Sequence, residues 1–124
     1  MEAEETARWF KRYGYLDVSY EHILQYVKGH LEYGTIEVIR DRNNQIIAMG
    51  RYNINGDTAH ILDCLVIKHL RFRKLIKLMV LRGLKKFPNV THIEYERELY
   101  KDPKKRRLNV MRFLNIREEL CLQP

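Results

Sequence analysis

AHILDCLVIKHLRFRKLIKLMVLRGLKKF, residues 59–87, holds the reading that decides the fold. Its first nine residues, Ala59 to Ile67, are almost continuously apolar and broken only by His60 and Asp63, as expected for a central strand buried on both faces. From Arg71 the period changes. Phe72, Leu75, Ile76, Met79, Val80, Gly83, Leu84 and Phe87 fall on one stripe at i, i+3, i+4 spacing, which predicts a helix over 71–87 with one face on a core. Arg73, Lys74, Lys77, Arg82 and Lys85 take the other face. A buried strand followed closely by a helix with a basic first turn makes an anion site, because free backbone N–H groups and the helix dipole point at the ligand. Basic residues there also oppose the dipole, so plain surface solvation accounts for them equally well.

Upstream, Thr35, Ile36, Val38 and Ile39 are β-formers, Asn43-Asn44 supplies a turn, and Gln45 to Tyr52 reads as the next strand. Asn55-Gly56 is the strongest hairpin signal in the chain, and both residues tolerate the positive φ of a type I′ turn. Three consecutive strands therefore form an antiparallel meander. Before them, Glu2 to Tyr13 reads as a helix closed by Gly14, and Ser19 N-caps a second that runs to about Glu32. Downstream, Pro88-Asn89 ends the basic helix and Val90 to Glu96 reads as a strand. Asp102-Pro103 has the N-cap and N1 chemistry of a last helix running to about Leu114. The expected fold is a single α/β (α+β) domain over 1–124, in the order ααβββαβα, with a mixed, mainly antiparallel sheet flanked by helices.

Composition agrees with one globular domain: 45% hydrophobic and 31% charged residues over 124 positions. No apolar run reaches the ~20 residues that span a bilayer, and the Met1 to Glu5 segment is acidic where a secretory signal is basic then apolar. The expected setting is cytoplasmic, with no membrane partner. Cys64 and Cys121 lack metal or redox spacing, and His22, His30, His60, His69 and His92 are scattered, so no metal site is expected. Trp9, Phe10, Tyr13, Tyr15, Tyr20 and Tyr26 read as helix-packing residues rather than a substrate cage.

The formal charge of +7 comes from 23 Lys and Arg against 16 Asp and Glu, and the excess is dense between Arg71 and Arg107. Such a surface suits a phosphorylated cofactor, nucleic acid or an acidic protein. A second basic cluster, Lys101, Lys104, Lys105, Arg106 and Arg107, surrounds the start of the expected last helix. Together the clusters would track a phosphate backbone, with Tyr95 or Tyr100 for base stacking; a merely solvated face is the commonest meaning of such a run.

The element order, the strand from His60 to Ile67 and the helix opening Arg71-Phe-Arg-Lys-Leu-Ile76 resemble the GNAT acetyltransferase superfamily, whose motif there is Gln/Arg-x-x-Gly-x-Gly/Ala. The resemblance implies that acetyl-CoA or another acyl-CoA is the cofactor. Pantetheine would lie along the main chain of Leu65, Val66 and Ile67, and the pyrophosphate on the amides of Arg71, Phe72, Arg73, Lys74, Leu75 and Ile76. It implies acyl transfer to an amine acceptor, and Asp63 matches an acidic position on the central strand, where burial would raise its pKa toward that of a working base. The alternative for Asp63 is a strand aspartate that accepts hydrogen bonds from backbone or Arg side chains. Lys74 and Ile76 stand where the family has small residues, and Leu114 follows Phe113 where the family often has a tyrosine acid. Without that tyrosine the leaving thiolate takes its proton from elsewhere or from solvent, a contribution of ~10²–10⁴-fold. These departures keep a second expectation open: a non-catalytic binding module for nucleic acid or an acidic protein surface.

Overall fold

Glu2, Glu4 and Glu5 in the first turn and Lys11 and Arg12 in the last match the dipole of helix α1 (Glu2–Gly14) at both ends. The computed structural model describes residues 2–67, 72–97 and 104–114. Helix α2 (Tyr20–Tyr33) is N-capped by Ser19, whose hydroxyl accepts from the His22 amide at 3.3 Å. It is closed by Gly34 at φ +71°, from which Thr35 donates its amide back to the His30 carbonyl at 2.9 Å.

Among the described residues five strands follow: β1 (Ile36–Arg40), β2 (Ile46–Asn55), β3 (Thr58–Val66), β4 (His92–Arg97) and β5 (Lys104–Asn109). They lie side by side in chain order, antiparallel throughout except where β3 meets β4 in parallel. Helix α3 (Phe72–Lys86) makes the crossover between these two, and α4 (Val110–Leu114) closes the described part of the chain. The expected meander, the crossover helix and the strand after it are all present. Ala7, Phe10, Ile23 and Val27 of α1 and α2 pack with Ile36 and Met49 on one face of the sheet. On the other face, α3 lies over Ile39, Ala48, Tyr52 and Ile93. Among the described residues, no helix is long and apolar enough to cross a membrane.

Two expectations are corrected. Lys104 to Asn109 is a strand and not the start of a helix: it pairs with β4 from His92↔Asn109 to Arg97↔Lys104, and only Val110–Leu114 is helical. A physical reason is cross-strand charge, since Glu94 stands opposite Arg107 and meets it at 2.6 Å, and such a pair stabilises a ladder by roughly 0.2–1 kcal/mol. Asn109, not Asp102, caps the last helix, accepting from the Arg112 amide at 3.1 Å; Asp102 and Pro103 lie outside the described residues. The observed element order is therefore ααβββαββα. The hairpin also differs in type. Asn55 pairs with Thr58, the loop is Gly56-Asp57, and Gly56 alone has positive φ, +61°. That is the pattern of a type II′ turn, with glycine at the first central position.

His30 ties the end of α2 to β1 through Nδ1 and the Thr35 hydroxyl at 2.6 Å. Burial, helped by the Arg51 charge, holds its imidazole below the usual histidine value. The native state thus prefers neutral His30, so its contribution is complete above the unfolded histidine value and is lost as pH falls toward the lower native one. Denaturant midpoints measured at pH 7 and pH 5 should show a smaller acid-side loss in His30→Gln than in the parent chain.

Candidate functional site

β3 and β4 pair only at Thr58↔His92, Ala59↔Ile93 and His60↔Glu94. Beyond His60 they part. β2 still holds the other edge of β3 as far as Val66, and β5 still holds β4 as far as Arg97. The edge of β3 that faced β4 is left without a ladder partner among the described residues, and the wedge opens at the carboxyl ends of two parallel strands. That is where open α/β sheets place ligands. Leu75 and Ile76, in the first turns of α3, pack on Val66 at the end of β3.

A cavity of about 530 Å³ runs from this wedge under α3. Leu62, 43% exposed, and exposed Glu96 stand at the mouth. Ile76, Val80 and Leu84 of α3, with Phe87 just past its end, form the roof. At the far end Glu37, buried on β1, accepts from the Tyr52 hydroxyl at 2.6 Å and meets Lys86 Nζ at 2.6 Å. Lys86 also donates to the Gly34 and Ile36 carbonyls at 2.8 and 3.2 Å, and burial with the Glu37 contact pushes the Tyr52 phenol far up.

Asp63 lies on the opposite face of the sheet. A bulge at Leu62 moves the β2–β3 register by one residue, so that Tyr52 faces Ile61 but Arg51 faces Asp63. Arg51 Nε meets Asp63 Oδ2 at 2.6 Å, and the Tyr15 hydroxyl donates to Oδ1. The Asp63 side chain is only 4% exposed. Burial pushes its carboxyl up to about 6, with Arg51 and Tyr15 favouring the charged form against that trend. The guanidinium lies between the rings of Phe10 and Tyr26, 5.9 and 5.0 Å from their centroids. Phe10, Tyr15, Val18, Ile23, Tyr26 and Arg51 line a smaller space of about 200 Å³ beside the α1–α2 connection.

The residues expected to bind a cofactor divide between the two faces. Leu65 packs with α1 and α2, close to Gly14; Val66 packs with Leu75 and Ile76 beneath α3. The Ile67 amide is taken by the Ile47 carbonyl at 2.9 Å. Phe72 begins α3, Arg73 and Lys74 are exposed in its first turn, and Ile76 lines the cavity. Lys104, Lys105, Arg106 and Arg107 are on β5, where Arg107 meets Glu94 at 2.6 Å. Arg71, Lys101, Tyr100, His69 and Cys121 lie outside the described residues. Among the described residues no three His, Cys, Asp or Glu side chains are placed to hold a metal. Cys64 is no reactive thiol, since burial and then the Asp63 charge push it up to about 11.

Sequence reasoning missed Arg51 and Tyr15 and the cage of Phe10 and Tyr26 around the guanidinium. Aromatic residues in the helices gave a signal, but it does not specify a cation as their partner. No family model matches the chain, and no curated protein matches it.

Proposed function

We propose that the chain is a GNAT-like domain that binds an acyl-CoA in the wedge between β3 and β4 and passes the acyl group to an amine. The observation that carries this reading is the early parting of two parallel strands next to an apolar cavity. The edge of β3 beyond His60, without a ladder partner among the described residues, offers backbone N–H and C=O groups to the amides of a pantetheine arm, and Leu62 with Tyr95 supplies apolar walls for its methylenes. The first turn of α3, with exposed Arg73 and Lys74, supports the phosphates, and α3 has no acid in that turn to repel them. Lys74 and Ile76 replace the small residues of the family motif, yet Lys74 is exposed and Ile76 is directed into the core cluster, so both fit within an intact helix.

In this reading the amine enters on the α1–α2 face. Its nitrogen attacks the thioester carbonyl, the C–N bond forms, the C–S bond breaks, and solvent protonates the departing thiolate. The amine proton passes to the Tyr15 oxygen as the Tyr15 proton moves to Asp63. A carboxyl held near 6 suits a base that works close to neutrality. The nucleic-acid reading has weaker support, because Arg82 donates to the Val38 carbonyl, Lys86 is held by Glu37 and Arg107 by Glu94.

Titration calorimetry with free CoA and acetyl-CoA tests the proposal. Micromolar binding, about −8 kcal/mol, is expected, with at least tenfold loss in the double variant Arg73→Glu, Lys74→Glu. No binding of either compound, together with salt-sensitive binding of a short DNA duplex, would overturn the proposal in favour of the basic-module reading.

A further inference from the structure

The cavity under α3 is far larger than an acetyl group needs. We infer that it receives the acyl chain of the thioester, and that the preferred acyl group is a medium-length saturated one, in the octanoyl to dodecanoyl range. The inference rests on the acyl-CoA reading, because the wedge between β3 and β4 is the mouth of the cavity.

Protein interiors pack at crystal density, with few voids larger than a water molecule. A space of about 530 Å³ among the described residues is of ligand-site size. Its walls are mostly aliphatic and aromatic, and hydrocarbon gains by leaving water for such walls. Its lining runs along α3 and just past it, from Ile76 to Phe87, and eleven residues at the helical rise span about 16 Å. That is close to the length of an extended dodecanoyl chain. Gly83 lets α3 sit close against Tyr52, since a Cβ there would stand 3.3 Å from its hydroxyl. The polar groups at the far wall are already joined to one another, Glu37 to Tyr52 and to Lys86, so a plain methyl terminus leaves none of them without a partner.

The test is a binding series of free CoA, acetyl-, butyryl-, octanoyl- and dodecanoyl-CoA, each below its micellar concentration, on the full chain and on Val80→Phe and Leu84→Phe. Affinity should rise from acetyl- to octanoyl-CoA by up to about fourfold per buried methylene. The rise should stop at a shorter chain in Val80→Phe than in Leu84→Phe, because Val80 lies one turn nearer the mouth. Free octanoate separates the chain from its carrier. A series flat in chain length, with free CoA still bound, overturns this inference and leaves the wedge reading standing. A rise identical in all three proteins also overturns it, as that is adsorption rather than entry. If only one variant folds, its cut-off against the parent chain decides between entry and adsorption in the same way. Octanoate bound without any CoA compound overturns the thioester assignment, and the absence of all binding overturns both readings.

Discussion

Asp63→Ala is expected to destabilise the fold by about 3–5 kcal/mol, the usual result of removing one partner from a buried ion pair. The Arg51 guanidinium, with its side chain only 17% exposed, would keep its charge between Phe10 and Tyr26 and lose its only anionic partner among the described residues. The Tyr15 hydroxyl would lose its acceptor as well. The double variant Arg51→Met, Asp63→Leu should recover most of the loss, because burial already pushes the ionised carboxyl up to about 6 and an apolar pair avoids that desolvation. Urea midpoints of the three proteins decide the matter: a single variant as stable as the parent would mean that the pair does not hold the sheet to α1. The pH dependence follows with the opposite sign to that of His30. With a native carboxyl raised above its unfolded value, native Asp63 keeps its proton at a pH where the unfolded chain has lost it. Its contribution therefore grows as pH falls through about 6, and Asp63→Asn should remove that component.

The same bulge shows where sequence reasoning stops. The hydrophobic run of residues 59–67 correctly marks a central strand, and the spacing from Phe72 to Phe87 correctly marks the crossover helix. Counting back from the Asn55–Thr58 closure along an unbroken ladder, however, puts Gly50 opposite Asp63 and sends Asp63 toward α3. The extra residue at Leu62 turns Asp63 to the other face and gives it Arg51. A bulge has no period and leaves no pattern in composition, so the pairing at the centre of the α1–α2 face could not be read from the chain. The basic run at 104–107 failed for a related reason. Alone it looks like the flank of a helix, and its pairing with β4, including Glu94 against Arg107, comes from residues roughly ten positions earlier. The parting of β3 and β4 beyond His60 was not legible in the chain, because no residue pattern in either strand marks where their pairing ends.

Phe10→Ala should be the most damaging substitution in the helical layer, at about 3–5 kcal/mol. Phe10 is 3% exposed and packs with Ala7, Ile23, Val27, Ile36 and Met49, so truncation leaves a void between α1 and the sheet. It also forms one wall around Arg51 and a tilted ring pair with Tyr15 at 5.0 Å. The void would therefore open beside the buried ion pair and admit water to it. Two comparisons separate packing from polarity. Phe10→Leu keeps most of the volume and should cost roughly 1 kcal/mol, whereas Tyr15→Phe keeps its ring and loses only the donor to Asp63, about 1.5 kcal/mol. If thermal midpoints put Tyr15→Phe below Phe10→Ala, the polar contact rather than the apolar layer holds α1 on the sheet. The expected order, with Phe10→Ala lowest, makes the Tyr15 hydrogen bond secondary to the hydrophobic packing that closes the seam. Tyr15, 37% exposed and bonded to Asp63, then stands between solvent and the carboxyl in the proposed transfer.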